Sequence, residues 1–167
     1  MVRGSGQVQF GAIHGAWSQT ARHASAKDFL VDYLLDTNAC IALINGHPPA
    51  VRARLQKATA ATSHILVSSI AVFELWYGVD KSARHEFNRK RLETFLAGPI
   101  LVLPFEDADA QFAGSIRAAL EAAGKPIGAY DLLMAGQALR HQMTLVTANV
   151  AEFSRVKGLK WQDWSKP

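Results

Sequence analysis

From Tyr33 onward, short apolar runs that suit buried strands alternate with longer stretches of helical period. Residues 32–36 read as a short buried strand, followed by helical sequence over 39–45 and a Gly46-His47-Pro48-Pro49 break. Helical sequence resumes over 51–55. Ile65-Leu66-Val67 is a second β-rich run, and Ser68-Ser69 offers an N-cap for a helix over 70–79. A charged helix over 83–96 stops at Gly98-Pro99, and residues 100–103 form a third strand. An Ala-rich helix covers 107–123 until Gly124 and Pro126 end it, and Asp131 opens another that reaches His141. Residues 144–147 make a fourth strand and 159–161 a fifth. Strands separated by helices of this length predict right-handed βαβ units, hence an α/β fold with a mainly parallel sheet.

Residues 1–31 do not share this pattern. They are rich in Gly, Ser, Ala, Gln and His, and Arg3, Arg22 and Lys27 loosely suggest a transit peptide. The expectation is a disordered leader or a misplaced start, with the domain over 32–167. A chain of 167 residues with 49% hydrophobic content suits one compact core. Cys40 is the only cysteine, which excludes a disulfide framework or a cysteine zinc site and fits a reducing cytoplasm. No apolar stretch approaches the roughly 20 residues needed to cross a bilayer, so no membrane role is expected.

Four acid-bearing stretches lie beside the strand-like runs, and acids are scarce in the other buried-looking segments. In open parallel sheets, ligands bind beyond the carboxyl ends of the strands. Asp36 stands at such an end, as do Thr147 and Asn149, although Asp36 also reads as a helix N-cap. Glu74 is the single acid in an otherwise apolar helix, the kind normally buried on all sides. Its carboxylate needs a cation, a set of hydrogen bonds, a raised pKa or a structural arginine. Asp131 reads as an N-cap or a functional acid. Asn149 reads as a neutral oxygen ligand or a water-orienting group, and Glu152 as a fourth carboxylate or a surface acid. Converging carboxylates suggest a divalent cation of the Mg²⁺ type. The net charge of +4 and a pI near 9.4 suit a polyanionic partner drawn towards such a centre. The run Lys81, Arg84, Arg89, Lys90, Arg91 reads as a solvated face or a phosphate-holding one.

Read together, Leu34-Leu35-Asp36-Thr37-Asn38, Ser68-Ser69-Ile70-Ala71-Val72-Phe73-Glu74-Leu75, Gly128-Ala129-Tyr130-Asp131-Leu132-Leu133 and Leu145-Val146-Thr147-Ala148-Asn149 with Glu152 resemble the PIN-domain ribonucleases, particularly the VapC toxins. The resemblance covers about 33–164. It implies a PIN-like three-layer α/β/α fold around a five-stranded, mainly parallel sheet. It also implies an endoribonuclease dependent on Mg²⁺ or Mn²⁺, a homodimer, and a cognate VapB-like antitoxin seated in a groove by the 70–79 helix. Asp36, Glu74 and Asp131 take the metal-binding acidic roles, with Asn149, Glu152 and Thr147 completing the catalytic set and Thr37 and Asn38 orienting it. Many relatives carry Asp where Asn149 stands, and a small polar residue where Tyr130 stands. Two rivals remain in view. A haloacid-dehalogenase-type phosphatase needs a second Asp where Asn38 lies, and a catalytically weak PIN-fold module would bind RNA or protein without cutting.

Overall fold

The computed structural model describes residues 31–166, so the expectation for a leader lies almost wholly outside the described residues. Five parallel strands form one sheet: β1 (Tyr33–Leu35), β2 (Ile65–Ser68), β3 (Leu101–Leu103), β4 (Thr144–Val146) and β5 (Lys160–Gln162), in the order β3-β2-β1-β4-β5. The chain winds outward from β1 to β3, then returns to β4 on the other side of β1. The order therefore reverses between β1 and β4, and ligands bind at such a switch point in doubly wound sheets.

Strand alternation divides the core into two. Leu34, Leu66 and Leu145 stand in register across the three central strands and point to one face. They pack there on Leu120 of α5 (Asp107–Ala122) and on Leu132, Ala135 and Ala138 of α6 (Ala129–Arg140). Leu35, Val67 and Val146, one residue on, point to the other face. Their partners include Ala39 and Leu43 of α1 (Thr37–Asn45), Val51 of α2 (Pro49–Ala60), Ala71 and Leu75 of α3 (Ser69–Asp80) and Leu92 of α4 (His85–Leu96). A single turn, α7 (Val150–Phe153), follows β4 and buries Phe153. The expected three-layer α/β/α architecture is what the chain adopts.

Several boundaries differ from the sequence reading, each for a local reason. Helix α1 starts at Thr37 because Asp36 caps it, its Oδ1 accepting from Ala39 N at 2.6 Å. Helix α2 is longer at both ends; Pro49 sits in its first turn, where a missing N–H leaves nothing unsatisfied. Helix α6 opens at Ala129, so Gly128 holds the cap position and Asp131 lies in the first turn rather than at the N-cap. Helix α3 is not buried on all sides. Phe73 and Tyr77 are 53% and 58% exposed, against the sequence expectation that an otherwise apolar helix is buried on all sides.

Asp109 is a buried acid outside the four stretches singled out in the sequence. This fully buried carboxylate takes Arg140 Nη1 at 3.0 Å, and the same guanidinium reaches Glu106 Oε2 at 3.0 Å. Asp109 also accepts from Glu106 N at 2.8 Å in a capping box, so it secures the start of α5 to the end of α6. The two helices touch so closely that a Cβ on Gly136 would lie 2.7 Å from Ala113 N and 2.8 Å from Ala113 Cα.

Gly136→Ala is expected to lower stability in urea denaturation by roughly 1–3 kcal/mol, an overpacking cost that exceeds the propensity gain of about 1 kcal/mol. Gly114→Ala on α5, where an added methyl meets open space, is expected to raise stability by up to about 1 kcal/mol. Effects of the same sign at both positions would refute the close-contact account.

Candidate active site at the carboxyl ends of the strands

Asp36 leaves the end of β1 with its backbone N donating to Val146 O at 3.0 Å, which prolongs the pairing with β4 by one step. Its side chain is 2% exposed. Besides the bond from Ala39 N, the carboxylate receives the hydroxyl of Thr147, which leaves the end of β4. Thr147 Oγ1 in turn accepts from Asn149 N at 2.8 Å, so its proton is free to point at Asp36. The two central strands thus deliver an acid and its hydrogen-bond donor to one place.

Helices bring the other acids. Glu74, half-buried on α3, receives the hydroxyl of Thr37 from the first turn of α1. Asp131, half-buried in the first turn of α6, receives Asn149 Nδ2 on its Oδ2 at 2.8 Å. Glu152 of α7 accepts from Gly128 N at 2.7 Å, immediately before α6. Asn149 therefore acts here as a donor to Asp131, and Glu152 is tied into the site rather than standing as a loose surface acid. Asn38 is exposed, and Thr37 and Thr147 make the orienting bonds expected of all three. The backbone N–H of Gly128 is the participant that sequence reasoning missed; its only signal was a glycine just before a helix.

The charges explain why this cluster is unstable on its own terms. The Asp36 pKa is pushed from 3.8 up to about 6, chiefly by burial, with smaller raising effects from the charges of Asp131 and Glu74 and opposed by the bonds from Thr147 and Ala39 N. Burial likewise lifts Asp131 to about 6, opposed by Asn149 and assisted by the charges of Glu152 and Glu74. Glu152 moves down instead, chiefly because the Gly128 N–H stabilises its charge. Among the described residues no Lys, Arg or His pairs with Asp36, Glu74 or Asp131, so a structural arginine is not what holds Glu74. The expected solvated face fits Arg89, which pairs with Glu93 at 3.1 Å.

Hard oxygen donors that repel one another, with no counter-cation, match a divalent ion in chemistry. Among the described residues, no three His, Cys, Asp or Glu side chains are arranged to enclose a metal by themselves. A hydrated divalent ion, bound directly by only one or two carboxylates, is compatible with both observations. They do not suit a dehydrated cage.

Since the buried Asp36 carboxyl titrates above its unfolded value, its ionisation costs stability as pH rises from about 4 through about 6. In EDTA, Asp36→Asn is expected to be more stable than the parent at pH 8 by roughly 1–3 kcal/mol, with the difference fading near pH 4. Chemical denaturation at the two pH values measures this, and a pH-independent difference would refute the raised Asp36 pKa.

Comparison with known proteins agrees with this fold. The sequence matches the PIN domain over residues 33–159. The tRNA(fMet)-specific endonuclease VapC of Shigella flexneri is 38% identical over 136 residues, which cover 81% of this chain and 100% of that protein. Ribonuclease VapC2 of Rickettsia felis is 39% identical over 134 residues, or 80% of this chain and 98% of that protein. The crystal structure of VapBC2 from Rickettsia felis bound to a DNA fragment from their promoter is similar, with a TM-score of 0.74 and 36% identity, over 79% of this chain and 98% of that one. On these matches and on its own fold, the chain belongs to the PIN-domain family, within the group of VapC ribonucleases.

Proposed function

We propose that this protein is a divalent-metal-dependent endoribonuclease that hydrolyses RNA phosphodiester bonds and serves as the toxin of a VapBC-type pair. The observation that carries the reading is the set of mutually repelling acids, Asp36, Glu74 and Asp131, gathered at the sheet's switch point without a cationic partner among the described residues. The names of the relatives, a tRNA(fMet)-specific endonuclease and a ribonuclease, support RNA as the substrate. Asp36, Asp131 and Glu74 would hold the ion, directly or through its waters, with magnesium favoured and manganese an alternative by the same donor chemistry. When bound, such an ion supplies a more acidic water and offsets the charge that grows on the phosphate. The chain's own part is to hold the donors still. Thr147 and Ala39 N orient Asp36, Thr37 orients Glu74, and Asn149 occupies Oδ2 of Asp131 so that its other oxygen can face the reaction. Glu152 anchors the loop before α6 and keeps the Asp131 turn in place.

The antitoxin reading has its own support. A cavity of about 220 Å³ lies between α1, α3 and α4, lined by Ile41, Ile44, Leu75 and Val79, with Glu74 also on its wall. An amphipathic partner helix suits such an apolar groove, and a basic partner residue there would meet the acid. The relatives solved as VapBC complexes support a partner of this kind, acting in the cytoplasm, where a lone reduced cysteine is at ease. A homodimer belongs to the same reading and is supported by the exposed apolar edge at Leu101 and Val102 of β3.

Asp131→Asn in the purified protein is expected to reduce Mg²⁺-dependent cleavage of RNA beyond the roughly 10–100-fold loss typical of residues that only orient a ligand. Circular dichroism checks that the variant is folded. Undiminished cleavage would overturn the scheme.

A further inference from the structure

Helix α3 carries a second face that the groove does not use. Phe73, Tyr77 and Lys81 recur at intervals of four residues and so share one side of the helix, away from Leu75 and Val79. Phe73 meets Tyr130 of α6 edge to face, with centroids 5.6 Å apart and planes at 65°. Both rings are half exposed, as is Tyr77. Each ring of the pair is joined in the chain to an acid of the site: Phe73 precedes Glu74, and Tyr130 precedes Asp131. The ring pair therefore stands one residue along the chain from two of the acids. At the far end of the stripe the Lys81 ammonium stands 5.7 Å from the Tyr77 ring centroid. It has no acidic partner among the described residues.

Resting on the ribonuclease reading, we infer that Phe73, Tyr130 and Tyr77 form a stacking platform for the bases of single-stranded RNA flanking the cleaved phosphodiester, with Lys81 receiving a phosphate. The chemistry favours a nucleic acid strand over a protein surface. Aromatic rings interleaved with an unpaired cation are what sequence-tolerant single-strand binding uses, because every base offers a π-face and every nucleotide a phosphate. The cores of protein interfaces are depleted in lysine. The stripe from Phe73 to Lys81 runs roughly 12 Å at 1.5 Å per residue, enough to track a strand beyond the base nearest the acids. Helix α3 then divides its labour: one side faces the antitoxin groove, the opposite side faces substrate, and Glu74 stands between them.

The test uses the full chain, its Tyr130→Leu, Phe73→Leu and Tyr130→Phe variants, and two short single-stranded RNAs. One RNA is intact, and the other lacks the base beside the bond that is cleaved. Thermal melting and light scattering establish that each variant is folded and has the parent's oligomeric state. In EDTA, the parent is expected to bind the intact RNA on the order of ten-fold more tightly than the abasic one, the size of one base–aromatic stack. The Leu variants lose that discrimination, and Tyr130→Phe, which keeps the ring, retains it. With Mg²⁺, the Leu variants raise KM by a similar factor and leave kcat within about three-fold. Equal binding of the two RNAs by the parent, or undiminished discrimination in the Leu variants, overturns the platform. So does a Leu variant that falls from dimer to monomer, since the rings would then be a subunit contact. Discrimination in EDTA without any cleavage in Mg²⁺ would overturn the ribonuclease reading alone and leave the platform standing.

Discussion

An acid taken out of water beside two other acids organises this molecule. Asp36 is almost wholly buried; burial is the main reason its pKa is raised, and the charges of Asp131 and Glu74 add smaller effects of the same sign. A fold spends stability on such an arrangement only where something else compensates. The hydroxyls of Thr147 and Thr37 and the amide of Asn149 offset part of the cost, Thr37 from α1 and the other two from the loop between β4 and α7. On the proposed reading, the remainder is offset by positive charge, supplied either by a divalent cation or by a basic group of the antitoxin. One electrostatic fact thus underlies both the catalytic and the regulatory readings.

The rest of the fold keeps those acids in position. Asp36 and Thr147 are delivered by neighbouring strands whose register is set by the alternation of Leu34 and Leu35 against Leu145 and Val146. A slip of one residue would turn every one of these side chains to the wrong face. Asp131 depends on α6, which is fixed at its far end by the Asp109–Arg140 ion pair and along its length by the bare backbone contact of Gly136 with Ala113. Breaking the buried pair would leave Asp109 without its arginine, a costly state, so α5 and α6 are tied to each other at this point.

Much of this was legible in the one-dimensional pattern. The alternation of apolar runs with helical stretches specified a parallel α/β sheet, because strands of three or four buried residues can only be connected in that way by helices of this length. Asp36, Glu74, Asp131, Thr147, Asn149 and Glu152 were all visible as polar groups placed beside strand ends or within apolar helices. Helix ends were less legible. Asp131 looked like a cap, yet Gly128 takes that position and leaves Asp131 free for the site. Asp109 was invisible as a buried acid, since its partner Arg140 is 31 residues away and nothing local distinguishes it from a surface residue of a charged helix start.

Local sequence determined which segments are strands and helices and which residues carry oxygen donors, because propensity, capping and periodicity act over a few residues. Only the tertiary structure decided which donors meet, which hydrogen bonds they receive, and that the two sides of α3 face different surroundings. Those outcomes depend on distances between segments tens of residues apart. Burial and charge at such a point are properties of the assembled neighbours, and no single stretch of chain contains them.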